Sequence, residues 1–223
     1  MAANARQLYE ERRREIIAAI VAVVVLAGAG LGWFAWSQHV KSRAHVLLGE
    51  AVAIDSAPVG PPRSPDVKEL RFPTEREKLQ AAGTKYKLVA DQYPSTDAGI
   101  FARYREGAIW MSLGNSDSAT KAYLDVINRS GKGVYGQMAR LGLAEAQARA
   151  GQYDQAINTF RDLSQSKDGL LPVDGILMQL GRTYRAAGKR TEAQQTFSQI
   201  VEQFPDSPFG ADARRELDNL KKI

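Results

Sequence analysis

The side chains that most often perform catalysis or bind metals are scarce in this 223-residue sequence, which contains no cysteine and two histidines. His39 and His45 are six positions apart, whereas two ligands on one helical face would be three or four apart. Histidines just after an apolar segment are more often interfacial polar residues than metal ligands. We therefore expect no metal site, no cysteine nucleophile and no disulfide.

The other polar residues do not form a recognisable catalytic motif. The sequence has no phosphate-binding glycine loop, nucleophile elbow, H-E-x-x-H helix or calcium loop. Glu145 and Arg149 are four positions apart, and a surface ion pair explains them better than an acid and a base. The 30 Lys and Arg residues are interspersed with 25 Asp and Glu residues, so the net charge of +5 does not indicate a nucleic-acid interface. We expect a protein that is not an enzyme and binds no cofactor.

The amino-terminal part contains an apolar segment without charged residues, from Ile16 to Trp36. As a helix this segment would be about 31 Å long, enough to cross the hydrocarbon core of a bilayer. Basic residues precede it and tryptophans lie near its end, namely Arg12, Arg13, Arg14, Trp33 and Trp36. These flanks are typical of a membrane helix, and the excess of basic residues before it predicts a cytoplasmic amino terminus with the carboxyl domain outside.

Two alternatives for this segment remain open. Residues 16–26 followed by Ala27-Gly28-Ala29 would also fit a signal peptide with a cleavage site, although the apolar run is longer than such segments usually are. We prefer a retained signal anchor. Gly28 and Gly32 form a G-x-x-x-G pair, which would allow either close packing with a neighbouring helix or dimerisation of two anchors.

The rest of the chain carries a repeat of 37 residues. Its markers are Ala82, Ala119, Ala156 and Ala193. Four positions after each alanine comes an aromatic residue, namely Tyr86, Tyr123, Phe160 and Phe197. An aliphatic residue follows three positions after each aromatic one. This spacing defines one face of a helix. A glycine lies five positions before three of the alanines, at Gly114, Gly151 and Gly188, where a first helix is expected to end before a second begins.

The repeat resembles the tetratricopeptide repeat family, most closely in the last unit, which contains Leu180-Gly181, Tyr184, Ala193, Phe197 and Pro205. The resemblance implies an all-α fold, an α-solenoid of about 3.5 to 4 helical hairpins with a carboxyl-terminal capping helix. The predicted domains are a short cytoplasmic segment (1–15), a transmembrane signal anchor (16–36), a juxtamembrane helix with a proline-rich linker (37–73) and the repeat domain (74–223).

In this family peptides usually lie in the groove formed by the first helices of the hairpins. Counting from the alanine markers, the residues expected to face this groove are Phe101, Tyr104, Met111, Leu141, Glu145, Arg149, Met178, Arg182 and Arg185. The mixture predicts apolar contacts at one end of the groove and basic ones at the other. Packing of several of these side chains against neighbouring helices is an equally good explanation of the pattern.

The order of parts also resembles the YfgM family of bacterial inner-membrane proteins, most specifically at the junction Gly32-Trp33 and Trp36-Ser37-Gln38-His39-Val40. This resemblance implies a periplasmic carboxyl domain, an ancillary role at the SecYEG translocon and chaperone partners such as the prolyl isomerase PpiD. The Tyr-Pro-Ser and Phe-Pro-Asp-Ser-Pro turns instead resemble tetratricopeptide proteins of outer-membrane assembly and the Tol-Pal system. They keep open the alternative of an envelope-assembly scaffold, released if the signal is cleaved.

Overall fold

The computed structural model describes residues 2–61, 69–166 and 168–221 of the chain, with side chains from Arg14 onward except that of Ile16. Within these residues the elements are α1 Ala2–Asp55, α2 Glu75–Gln92, α3 Asp97–Ser112, α4 Ser116–Ser130, α5 Val134–Arg149, α6 Tyr153–Ser164, α7 Val173–Ala186, α8 Arg190–Gln203 and α9 Gly210–Lys221. The described part contains no strand beyond an isolated bridge between Val59 and Phe72. The predicted all-α fold is confirmed.

The chain forms two compact units, residues 1–43 and residues 44–223. In the first unit, α1 is long and apolar enough to cross a membrane, and none of its most apolar stretch is buried within the protein. Trp33 and Trp36 are 68% and 64% exposed. A helix that is apolar on all sides needs an apolar environment, so this unit has the composition and length of a membrane span.

The remaining predictions for the anchor concern its environment rather than its fold. A Cβ atom added at Gly28 or Gly32 would have no neighbour within 4 Å, so no contact with the described residues requires glycine at either position. Arg14 is exposed, whereas the side chains of Arg12 and Arg13 lie outside the described residues. The orientation across a membrane and the choice between packing and dimerisation stay predictions.

The second unit begins inside α1. Ala51 is completely buried in a cluster with Tyr86 and Val89 of α2 and Ala102 of α3, and Leu47 and Leu48 pack against it. The carboxyl-terminal turns of α1 therefore form a hairpin with α2, within the region predicted to be juxtamembrane. The two ends of the proline-rich linker between these helices are hydrogen-bonded to each other, because the amide of Gly60 donates to the carbonyl of Phe72 at 2.9 Å.

The 37-residue repeat corresponds to buried positions on the second helix of each hairpin. Ala82, Ala119, Ala156 and Ala193 are each 0% exposed, and the four aromatic side chains that follow them are buried. Two of these rings occupy space left by a glycine of a first helix: a Cβ added at Gly181 would lie 2.5 Å from Cε1 of Phe197, and one at Gly142 would lie 2.5 Å from Cζ of Tyr123. Small residues thus allow the close approach of helices that the rings then fill.

The three glycines predicted to end first helices do so. Gly114, Gly151 and Gly188 have φ angles of +81°, +76° and +75°, a conformation that glycine adopts without the steric cost of a Cβ. After α3 the amide of Asn115 donates to the carbonyl of Trp110 at 2.8 Å, and that of Gly114 to Met111 at 3.1 Å. This pair of bonds is a Schellman motif, which satisfies carbonyls that the helix end would leave free.

Candidate protein-binding groove

The first helices α3, α5 and α7 contact one another in succession, so they form an inner layer alongside the layer of second helices. We use the term groove surface for the side of this inner layer that faces away from the second helices. Positions 37 residues apart are equivalent along it. Tyr104, Leu141 and Met178 form one such set; Ala108, Glu145 and Arg182 form another.

The apolar candidates lie largely in the hairpin interfaces. Met178 is 0% exposed and Met111 is 6% exposed, so neither offers surface to a partner in this structure. Leu141 is half-buried against the carboxyl-terminal core. Phe101 is half-buried, with its ring centroid 6.4 Å from that of Tyr86 and 5.9 Å from that of Tyr135. Inner helices have neighbours on several sides, and their apolar side chains are therefore mostly used in packing.

The middle of the groove surface is different, because polar groups are gathered there. Tyr104 and Glu145 are half-buried. Tyr123, from α4, reaches between α3 and α5 and places its ring centroid 5.9 Å from that of Tyr104. Burial raises the pKa of Glu145, and burial followed by the Glu145 charge raises the pKa of Tyr104. Arg149 is exposed, and its Nη1 donates to the carbonyl oxygen of Met111 at 3.2 Å.

The arginines of the predicted basic end of the groove form ion pairs with the capping helix. Arg182 lies 3.4 Å from a carboxylate oxygen of Asp212 and 3.8 Å from one of Glu216, and Arg185 also pairs with Glu216. These acidic residues are on α9, which packs against the last hairpin. Arg182 and Arg185 are thus engaged within the domain, although Asp212 also pairs with Arg215 of α9. The acidic pair on α9, four positions apart, is a signal in the sequence that would have indicated this.

Two polar networks were missed by the sequence analysis. In the first, the hydroxyl of Tyr86 donates to Asp55 at 3.0 Å while Arg105 pairs with the same carboxylate, which joins α1, α2 and α3. Burial, and then Asp55, raises the pKa of Tyr86 to about 12. In the second, Arg103 binds the buried Glu106 at 2.6 Å and Asp125 of α4 at 2.9 Å. The first network joins two hairpins, and Arg103 of the second also pairs with Asp91 of α2 in the preceding hairpin. Contacts between helices of this kind could not be predicted from sequence spacing.

A pocket of about 390 Å³ lies away from the groove surface, between α4, α5 and α6. Its apolar lining includes Leu124, Ile127 and Leu143. The side chain of Gln137 stabilises its floor, since it donates to the carbonyl of Asp168 at 3.2 Å and accepts from the amide of Leu170 at 2.9 Å. The same side-chain nitrogen also donates to the carbonyl of Lys132 at 3.1 Å, so the glutamine connects the turn before α5 with the segment before α7.

Histidines and carboxylates do not assemble into a metal site anywhere in the described ranges. His39 and His45 are both exposed on α1. The side chains described on the groove surface form hydrogen bonds, ion pairs and aromatic contacts.

Comparison with known proteins supports this architecture. Residues 138–166 and 176–207, which include most of the last two hairpins, match the tetratricopeptide repeat model. Two crystal structures of nearly identical TPR-like repeats from a kinesin-light-chain-type protein of Podosopora anserina, one of them a variant of the other, are similar in fold. Their TM-scores are 0.61 and 0.60 at 14% identity, and the matches cover 82% of this chain and 87% and 86% of theirs.

At 14% identity the likeness concerns the fold alone. None of the curated proteins matches this sequence. Taken together, the two matched segments, the buried repeat markers and the fold comparison show that an apolar amino-terminal helix precedes a tetratricopeptide-type α-solenoid with a carboxyl-terminal helix.

Proposed function

We propose that this protein is a membrane-tethered adaptor that binds segments of other proteins on the groove surface of its repeat domain. The observation that carries the proposal is the combination of a fully exposed apolar helix with a tetratricopeptide-type solenoid. Repeat arrays of this type present extended surfaces to protein ligands. The tether would keep such a surface beside the membrane, where its effective concentration for membrane-associated partners is high.

More specifically, we propose that the repeat domain lies on the periplasmic side of a bacterial inner membrane and links the Sec translocon to periplasmic chaperones. Its support is the resemblance of the Trp33 and Trp36 junction to the YfgM family, together with the excess of basic residues before the anchor. SecYEG and a chaperone of the PpiD type are the partners that this resemblance implies.

Photo-crosslinking from the groove surface tests this proposal. A photoreactive amino acid replaces Tyr104 on the groove surface or, as a control, Gln195, which is exposed on α8. We expect crosslinks to translocon subunits or a periplasmic chaperone from position 104 and none from position 195. Equal crosslinking from both positions, or none with those partners from either, would refute the finer proposal.

The second candidate is an envelope-assembly scaffold. Its support is the pair of turns at Tyr93-Pro94 and Phe204-Pro205, in which Tyr93 has φ and ψ of −129° and 50° and Phe204 of −128° and 61°. The mass of the membrane-fraction protein separates the two candidates. An intact amino terminus with a carboxyl domain accessible to protease from the periplasm supports the tethered adaptor, whereas cleavage near Ala29 supports the released scaffold.

A further inference from the structure

Three side chains near the middle of the groove surface carry polar atoms that the packing of the repeats does not require. We call Tyr104, Tyr123 and Glu145 the phenol-carboxylate cluster. Glu145 occupies a position that is Ala108 in the preceding hairpin and Arg182 in the next, so the repeat pattern does not require a carboxylate there.

The hydroxyl of Tyr123 is likewise dispensable for the fold. Its ring fills the space beside Gly107 and Gly142, and the equivalent rings in the last two hairpins are Phe160 and Phe197. In the first hairpin the equivalent hydroxyl, that of Tyr86, donates to Asp55 at 3.0 Å. By contrast, no other described side chain forms a hydrogen bond with the hydroxyl of Tyr123. A phenylalanine at position 123 would therefore fill the same space, and the hydroxyl of Tyr123 adds a polar group that packing does not require.

The carboxylate of Glu145 lacks a bonded cation among the described residues. The two arginines that affect the cluster are engaged elsewhere: Arg105 pairs with Asp55, and Arg149 donates to the carbonyl of Met111. Glu145 lies one helical turn after Gly142, which contacts the ring of Tyr123, and that ring is 5.9 Å from the ring of Tyr104. The Glu145 charge raises the pKa of both tyrosines, and the charge of Arg149 opposes the effect of burial on the pKa of Glu145. A half-buried carboxylate without a bonded partner is unfavourable unless a ligand supplies the missing positive charge.

We propose that the phenol-carboxylate cluster is a subsite for a basic side chain, lysine or arginine, of a protein segment bound on the groove surface. An ionised carboxylate only accepts hydrogen bonds, and a phenol oxygen also accepts them, whereas an ammonium or guanidinium group only donates. The half-buried ring of Tyr104 adds an aromatic surface of the kind that cations bind, whereas Tyr123, 3% exposed, contributes its hydroxyl. Tyr104 and Glu145 retain exposed surface, so a side chain from outside can reach the cluster.

This inference rests on the proposed function, because it specifies one contact made by the adaptor. It predicts a preference for positively charged segments, opposite to the one that the arginines of α7 had suggested from sequence. Those arginines are paired with Asp212 and Glu216, so they are less available to an acidic segment than the sequence alone suggested.

The test uses the full chain in lipid nanodiscs and three acetylated, amidated pentapeptides, Leu-Ala-X-Ala-Leu, with X as lysine, arginine or norleucine. Norleucine keeps the aliphatic stem of lysine without its charge. Binding is measured by titration calorimetry, and the Glu145 carboxyl is followed by carbon NMR after 13C labelling of glutamate side chains. We expect the lysine or arginine peptide to bind at least about tenfold more tightly than the norleucine peptide, as one charged hydrogen-bonded contact allows. It should also shift the Glu145 carboxyl signal.

Two variants make the test specific. Glu145→Gln should abolish the difference between the charged and neutral peptides, while Glu202→Gln, an equal charge change at an exposed site on α8, should preserve it. Equal binding of all three peptides, failure of the basic peptides to bind, or an undiminished preference in Glu145→Gln would overturn the subsite. The adaptor proposal itself is decided separately by crosslinking from position 104, so the two failures are distinguishable.

Discussion

Replacing Gly181 by alanine tests whether the close approach of helices in the last hairpin is correct. The added Cβ would lie 2.5 Å from Cε1 of Phe197 and 2.9 Å from Cδ1 and Cζ of the same ring. Carbon atoms in contact are about 3.5 to 4 Å apart, so the ring would have to move by roughly 1 Å. Phe197 is 0% exposed and is surrounded by packed core, which leaves little room for that movement.

The magnitude follows from two opposing effects. Overpacking a core costs about 1 to 3 kcal/mol, whereas alanine favours a helix over glycine by about 1 kcal/mol. We expect Gly181→Ala to lower the free energy of unfolding by up to about 2 kcal/mol and the Tm by up to roughly 8 °C. The assay is thermal and urea unfolding of the full chain in nanodiscs, followed by circular dichroism.

The chain offers a matched control. Gly49 is an exposed helical glycine of α1, and a Cβ added there would have no neighbour within 4 Å. Gly49→Ala should therefore raise the free energy of unfolding, by up to about 1 kcal/mol. Adding Phe197→Leu to Gly181→Ala should make the double variant more stable than the sum of the single effects predicts. If Gly181→Ala is as stabilising as Gly49→Ala, the close contact between α7 and α8 is refuted.

Four further predictions follow from the polar contacts and turns. Asp55→Asn should lower the free energy of unfolding by about 1 to 3 kcal/mol, because it weakens the contacts with Tyr86 and Arg105; an unchanged urea midpoint would contradict this. Because the pKa of Tyr86 is raised in the folded chain, its phenol loses the proton first in the unfolded state, and the free energy of unfolding should fall as pH rises from 10 to about 12. Asp55→Asn should lower the pKa of Tyr86 in a spectrophotometric titration. The pKa of Glu145 is also raised, so the free energy of unfolding should decline as pH rises from the ordinary glutamate pKa to the raised one. Glu145→Gln should therefore raise the Tm at pH 7 by roughly 1 to 4 °C. A lower Tm would show that the carboxylate stabilises the fold. Gly114→Ala places a Cβ at a φ of +81° and should cost about 1 to 2 kcal/mol, whereas an unaltered melting curve would refute the left-handed turn.

Sequence periodicity was sufficient to predict the helical hairpins. Ala82, Ala119, Ala156 and Ala193 are buried because a helix places residues at fixed angular intervals, so a regular interval in sequence becomes a regular face in space. The turn glycines followed for a similar local reason, since only a few residues decide where a helix ends. The apolar character of the anchor segment was also local, because it depends on consecutive side chains.

The groove surface could not be predicted to the same extent. Met178 and Arg182 occupy the same helix and were both expected to face a partner, yet Met178 is completely buried and Arg182 pairs with α9. The difference arises from which neighbouring helix approaches each side chain. The pairing of Arg105 with Asp55, fifty positions apart, likewise depends on how successive hairpins stack.

The sequence by itself determined the repeat length, the helix type, the turn glycines and a segment long and apolar enough to span a membrane, because each of these depends on residues that are close together along the chain. The tertiary structure alone decided which charges are neutralised and which remain available. It pairs Arg182 and Arg185 with α9, and it leaves Glu145 beside Tyr104 and Tyr123 without a bonded cation among the described residues. The physical reason is that the free energy of a charge depends on its burial and on the opposite charges that folding brings near it.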